Sequence, residues 1–154
     1  MNKILYWLFC LTSYPYFKFK YPQSRNLKFN GYFIQIFGSG TLECGKGSYV
    51  SFFTRIFIDE DTKFKVGDNV SISHNVRIYT SKIDSRTLIK DGRKILKKGN
   101  VVIGNNVLVG ANVYIGPGIE ICDNVLIGAN SVVNKSIFEP GVYAGNPMVK
   151  VSGI

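Results

Sequence analysis

The chain has 154 residues and one histidine, His74, in the stretch "ISHNV". An imidazole titrates near neutral pH, so it suits the removal of a proton from a hydroxyl or amine attacking a carbonyl. Such a base is usually oriented by a second group. Asn75 and Ser73 flank His74, and the acids Asp84, Asp59, Glu60, Asp61 and Glu43 are further candidates. The three cysteines, Cys10, Cys44 and Cys122, form no C-x-x-C spacing and are odd in number. That favours a reduced, intracellular setting. One histidine excludes a three-histidine zinc site built from a single chain. No metal is expected, and no cysteine nucleophile is needed.

The elements that position His74 follow from a six-residue rhythm. Apolar anchors recur at Cys44, Val50 and Ile56, then at Val66, Ile72 and Ile78. They resume at Ile103, Val109, Ile115, Ile121, Ile127 and Val133. Three residues after the anchor stand Asn69, Asn75, Asn106, Asn112, Gly118, Asn124 and Asn130, residue types that tolerate positive φ. Four residues after it stand Val70, Val76, Val107, Val113, Ile119 and Val125. A helix would repeat every 3.6 residues, and a flat strand would alternate without a bend every sixth. The pattern therefore predicts an all-β solenoid of very short strands joined by regular corners. Three hexads close one triangular coil of 18 residues, which stacks Ile103 on Ile121. His74 lies two residues after an anchor, on a corner that faces outward.

Around this repeat the chain divides into three parts. Residues 1–25 are an aromatic, basic lead-in, a short helix or an extended segment broken by Pro15 and Pro22. Residues 26–138 form the solenoid, with a degenerate first coil at 26–43, a small insertion at 59–65 and a polar, basic one at 80–100. Residues 139–154 leave the rhythm and cap the open end. The apolar run Ile4 to Leu11 is shorter than the roughly 20 residues of a spanning helix. No small-x-small cleavage site follows it. Its neighbour "YFKFKYP" interleaves lysines with aromatics, as at a membrane interface or in an edge strand. Net charge is +9, which is compatible with nucleic acid, lipid headgroups or a phosphate-bearing ligand. There is no helix-turn-helix, zinc-finger or base-stacking signature, so no nucleic-acid role is expected.

The stretches "VGDNVSISHNVRIYT", "VVIGNNVLVGANVYIGPG", "VLIGANSVVNKSI" and "GVYAGNPMVKV" resemble the hexapeptide-repeat acyltransferases. The resemblance covers a little over half of the chain. It is strongest to the maltose, galactoside and polysaccharide O-acetyltransferase branch. It implies a left-handed parallel β-helix, a homotrimer with sites between neighbouring subunits, acetyl-CoA as donor and a sugar or glycan acceptor. His74 would be the base, and Asp84, at the start of the long insertion, would orient it, with Asn75 alongside. Gly110, Ala111, Ala129 and Gly145, which lack bulk, would line the pantetheine channel, and Lys135 and Lys150 would hold phosphates. The protein would work in the cytoplasm, in some settings at the inner face of the membrane.

The two branches of the resemblance disagree about the base. The O-acetyltransferase pattern "YTxxH" reads "YTSKI" here, with Ile83 in the histidine's place. "ISHNV" is closer to the corner segment of the sugar N-acyltransferases. An N-acetyltransferase acting on an amino-sugar nucleotide, and a structural trimer without activity, therefore stand as alternatives.

Overall fold

A computed structural model describes residues 3–153 of the chain. The repeat folds as a left-handed β-helix with three parallel faces. The first face stacks Lys28–Asn30, Tyr49–Ser51, Ser71–Ile72, Leu108–Val109, Val125–Ile127 and Gly141–Gly145. The second stacks Gln35–Gly38, Arg55–Ile58, Arg77–Tyr79, Tyr114–Ile115 and Val132–Val133. The third stacks Thr41–Cys44, Lys63–Val66, Val101–Ile103 and Glu120–Ile121. The expected register holds, with Ile103 on Ile121 and Ile115 on Val133.

Each hexad folds this way for two reasons. The anchors point inward, and all twelve are buried. Side chains such as Val50, Ile56, Ile72, Ile78, Ile115 and Ile127 are fully removed from solvent. Burying each contributes about 1.5–3 kcal/mol. At the corners, Asn69, Asn75, Asn106, Asn112, Asn124 and Asn130 adopt φ between 54° and 61°, and Gly118 has φ 76°. Their amides also form ladders along the corner. Asn75 Nδ2 donates to Asn112 Oδ1 at 2.8 Å, and Asn112 Nδ2 to Asn130 Oδ1 at 3.0 Å.

The first coils vary the theme. In place of the later corner valines they carry Ser48 and Thr54, whose hydroxyls bridge coils. Ser48 Oγ donates to the Gly67 carbonyl at 2.8 Å and accepts from the Val70 N–H at 2.9 Å.

The lead-in is helical. α1 (Lys3–Leu11) and α2 (Ser13–Lys20) precede a 3-10 turn at Pro22–Ser24. The edge-strand reading of "YFKFKYP" gives way to a helix through Lys20, because Tyr14 and Phe17, three apart, bury together against the first coil. Tyr14 stacks on Phe29 with ring centroids 4.5 Å apart, and its hydroxyl donates to the Gly31 carbonyl.

The long insertion is a projecting arm. Ser81–Ile83 pairs antiparallel with Leu96–Lys98, and α3 (Ser85–Asp91) sits between them. The Gly99 N–H donates to the Thr80 carbonyl at 2.9 Å and closes the base of the arm. At the other end Gly141–Gly145 and Met148–Ser152 form an antiparallel hairpin on the last coil.

Candidate active site

His74 is exposed on the corner between the first and second faces. Its rung is defined by backbone bonds. The Asn75 N–H donates to the Phe52 carbonyl at 2.8 Å, the Asn112 N–H to the His74 carbonyl at 3.0 Å, and the Asn130 N–H to the Ala111 carbonyl at 2.8 Å. The Phe53 N–H donates to the Tyr32 carbonyl at 3.2 Å in the same way. One column therefore runs Tyr32, Phe52, His74, Ala111 and Ala129 along this edge. Below the imidazole it is aromatic, and above it there are only methyl groups. His74 stands at the step.

The imidazole is held on two sides. Phe52 stacks on it, with centroids 5.3 Å apart and planes 11° from parallel. Ser73 Oγ lies 3.0 Å from Nδ1, which leaves Nε2 to face outward chemistry. Phe52 was not singled out from the sequence. The signal was present: allowing for the four extra residues at the small insertion, Phe52 falls one coil beneath His74.

Phe33 and Phe53 take the left-handed conformation that asparagine occupies in the later coils, with φ 56° and 59°. Their rings stack 5.6 Å apart, so the amide ladder continues downward as an aromatic one. Tyr32 packs edge-on against Phe52 at 5.1 Å. A wall of four rings thus begins directly beneath the imidazole.

The structure gathers some of the expected residues here and separates others. Gly110, Ala111 and Ala129 lie on the His74 corner, one and two coils above it. Gly145 joins them from the terminal hairpin, where its N–H donates to Ser131 Oγ at 3.0 Å. Gly110 also has a packing reason: a Cβ there would meet the Ala129 nitrogen at 2.6 Å. Asn75 shares the corner but spends its amide N–H on Asn112.

Asp84 is elsewhere. It begins the arm on the corner between the second and third faces and caps α3. Its carboxylate accepts from the Thr87 hydroxyl at 2.8 Å and the Arg86 N–H at 3.2 Å. The Thr87 hydroxyl above all holds its pKa below the usual carboxylate range. Lys135 lies on that same edge, between Val132–Val133 and the bridge at Ile137. Lys150 is on the terminal hairpin, paired with Glu139 at 2.9 Å.

Neither cysteine of the solenoid is poised as a nucleophile. Burial pushes the Cys44 thiol up to about 11, and raises that of Cys122 as well. Among the described residues no group of three or more His, Cys, Asp or Glu side chains is arranged to hold a metal ion.

The bacterial transferase hexapeptide family (six repeats) matches residues 100–135. A galactoside O-acetyltransferase of Escherichia coli K12 is 38% identical over 107 residues, covering 69% of this chain and 51% of that protein. The chain thus spans about half the length of that curated relative. The crystal structure of a maltose O-acetyltransferase from Clostridium difficile 630 superposes with a TM-score of 0.60 at 31% identity, over 86% of this chain and 72% of that one. AntD, an N-acyltransferase from Bacillus cereus solved with dTDP-4-amino-4,6-dideoxyglucose and coenzyme A, gives a TM-score of 0.72 at 24% identity. That match covers 83% of this chain and 70% of AntD, and at such identity it speaks to the fold. The hexad rhythm, the three-faced prism and the extended identity to the maltose enzyme agree, and the chain belongs to the hexapeptide-repeat acyltransferases of left-handed β-helix fold.

Proposed function

We propose that the protein transfers an acetyl group from acetyl-CoA to a sugar-linked acceptor, with His74 as the base. One observation carries this reading: the only imidazole of the chain is exposed on a corner where the column narrows from aromatic rings to Ala111 and Ala129. A thin acyl-pantetheine chain fits along Gly110, Ala111, Ala129 and Gly145, where side chains are smallest. The ring wall of Tyr32, Phe33, Phe52 and Phe53 offers an apolar face to a sugar ring on the other side of the imidazole.

With Nδ1 protonated and donating to Ser73 Oγ, the Nε2 lone pair is free. The acceptor attacks the thioester carbonyl carbon and Nε2 takes its proton. The tetrahedral intermediate collapses, the C–S bond breaks, and the leaving thiolate recovers a proton from the imidazolium. Backbone N–H groups at the coil edges, near Gly110 or Gly128, would stabilise the oxyanion. Lys135 and Lys150 are the candidate phosphate holders. Lys150 would have to exchange Glu139 for a phosphate.

His74 and Asp84 stand on different corners of one prism. A site that uses both takes the His74 corner of one subunit and the arm of the next, and this supports the homotrimer. Asn75 shapes the corner rather than moving a proton.

Two acceptors remain, and different observations favour each. The His74 surroundings favour an amine on a nucleotide-linked sugar. Among the described residues the imidazole has a hydroxyl partner, Ser73, and no carboxylate hydrogen bond. An amine attacks through its own lone pair and sheds its proton afterwards, so it asks less of the base than a hydroxyl does. "ISHNV" and the AntD-like fold agree with this. The O-acetyltransferase relatives favour a hydroxyl, for which Asp84 from the neighbouring arm would strengthen His74.

The deciding assay is coenzyme A release over amino-sugar nucleotides, free sugars and capsular fragments, with the acetylated atom located by mass spectrometry. His74→Ala should lower the rate by at least roughly 100-fold. Unchanged turnover in that variant would refute the mechanism.

A further inference from the structure

The lead-in carries a surface that acyl transfer does not use. No residue of α1 is buried. Trp7, Leu8 and Leu11 are 64%, 55% and 70% exposed, and Ile4 is exposed on the same side. The spacing 4, 7, 8, 11 is one face of a helix. The opposite side holds the helix to the body. Phe9 packs edge-on against Phe33 at 5.1 Å, and Tyr6 and Cys10 contact the core. The apolar face is thus presented outward by a docked helix.

Charge says what the face is for. Residues 1–42 contain no aspartate or glutamate, but they contain Lys3, Lys18, Lys20, Arg25 and Lys28. Lys3 borders the apolar strip itself. On α2, exposed Tyr16 and Phe19 alternate with exposed Lys18 and Lys20. An apolar stripe with an indole and a purely cationic surround matches a helix lying in a lipid interface. Two copies of so cationic a surface would repel each other, which argues against a self-contact.

We propose that α1 and α2 dock the protein peripherally on an anionic lipid bilayer, with Trp7, Leu8 and Leu11 entering the headgroup boundary and the lysines pairing with lipid phosphates. Among the described residues no helix is long and apolar enough to cross a membrane, so the docking is interfacial. The docking does not depend on the acyl-transfer reading.

The test uses the full chain. Trp7 is the sole tryptophan, so intrinsic emission reports on this helix alone. Vesicles of phosphatidylcholine mixed with phosphatidylglycerol should shift the emission to shorter wavelength and sediment the protein. Brominated acyl chains should quench it, and phosphatidylcholine alone should do far less. Lys18→Gln and Lys20→Gln should each lower partitioning roughly fivefold, and raised salt should act likewise. Leu8→Glu with Leu11→Glu should abolish binding while circular dichroism and coenzyme A release stay unchanged. Trp7 emission indifferent to anionic vesicles would overturn the proposal. So would emission already blue-shifted without lipid, with the double Glu variant lowering the oligomeric mass, because the face would then cover a second copy.

Discussion

Asn75 stands beside the proposed base, and its substitution separates a part in the chemistry from a part in the corner. The residue has φ 54° and donates from Nδ2 to Asn112 Oδ1 at 2.8 Å. Asn75→Ala removes that hydrogen bond, at a cost of about 1 kcal/mol. It also leaves the left-handed position to a residue without the short polar side chain that makes that conformation tolerable, which costs up to about 1–2 kcal/mol. The sum is about 2–3 kcal/mol. Asn75→Gly loses the same bond and adds only unfolded-chain entropy, about 0.4–1 kcal/mol, so it should cost about 1.5–2 kcal/mol. For a chain of this size each kcal/mol moves Tm by about 2–4 °C. Alanine should therefore lower Tm by roughly 4–12 °C and glycine by roughly 3–8 °C. The assay is thermal unfolding at one protein concentration, paired with coenzyme A release per folded molecule. The ordering Asn above Gly above Ala is the signature of a left-handed corner. An alanine variant as stable as the glycine one would refute the corner argument. A fall in turnover of about 100-fold or more in the stable glycine variant would show that the amide acts on the reacting atoms.

Replacing residues 84–98 by a short turn should leave Tm within a few degrees, since Ser81–Ile83 and Leu96–Lys98 pair only with each other; acceptor use should fall, and an unfolded product would make the arm part of the core. The Glu139–Lys150 pair should hold the terminal hairpin over a bounded pH window. Lys150 depresses the Glu139 pKa below 4.5, and Glu139 raises that of Lys150 above 10.5, so the contribution fades as pH falls through the first or rises through the second. With the intrinsic pH dependence of amide exchange divided out, protection of residues 141–152 should fall at both extremes in the wild type but not in Glu139→Gln, which lacks the pair throughout; identical protection profiles would refute it. Finally, a thiol reagent near neutral pH should label Cys10 and Cys122 before Cys44, whose burial and raised pKa protect it until the chain unfolds; early labelling of Cys44 would contradict its inward packing.

Much of this protein could be read from residue order. The β-helix is a local code: each anchor, and each asparagine three residues later, specifies its own turn, and stacking repeats the rule. That is why the twelve anchors, the positive-φ corners and the pairing of Ile103 with Ile121 were all legible, and why His74 could be placed on an outer edge. Tertiary structure decided what depends on joining distant coils of unequal length. The insertions break the count of eighteen, so the partner beneath His74 is set by stacking, which brings Phe52 under the imidazole and Ala111 and Ala129 above it. The same stacking puts Asp84 on another edge, where one prism alone cannot bring it to His74. It also made a helix of "YFKFK", because burying Tyr14 and Phe17 against Phe29 outweighs a weak local preference for strand. Short-range periodicity fixes a turn; which side chains meet across turns is a property of the assembled column.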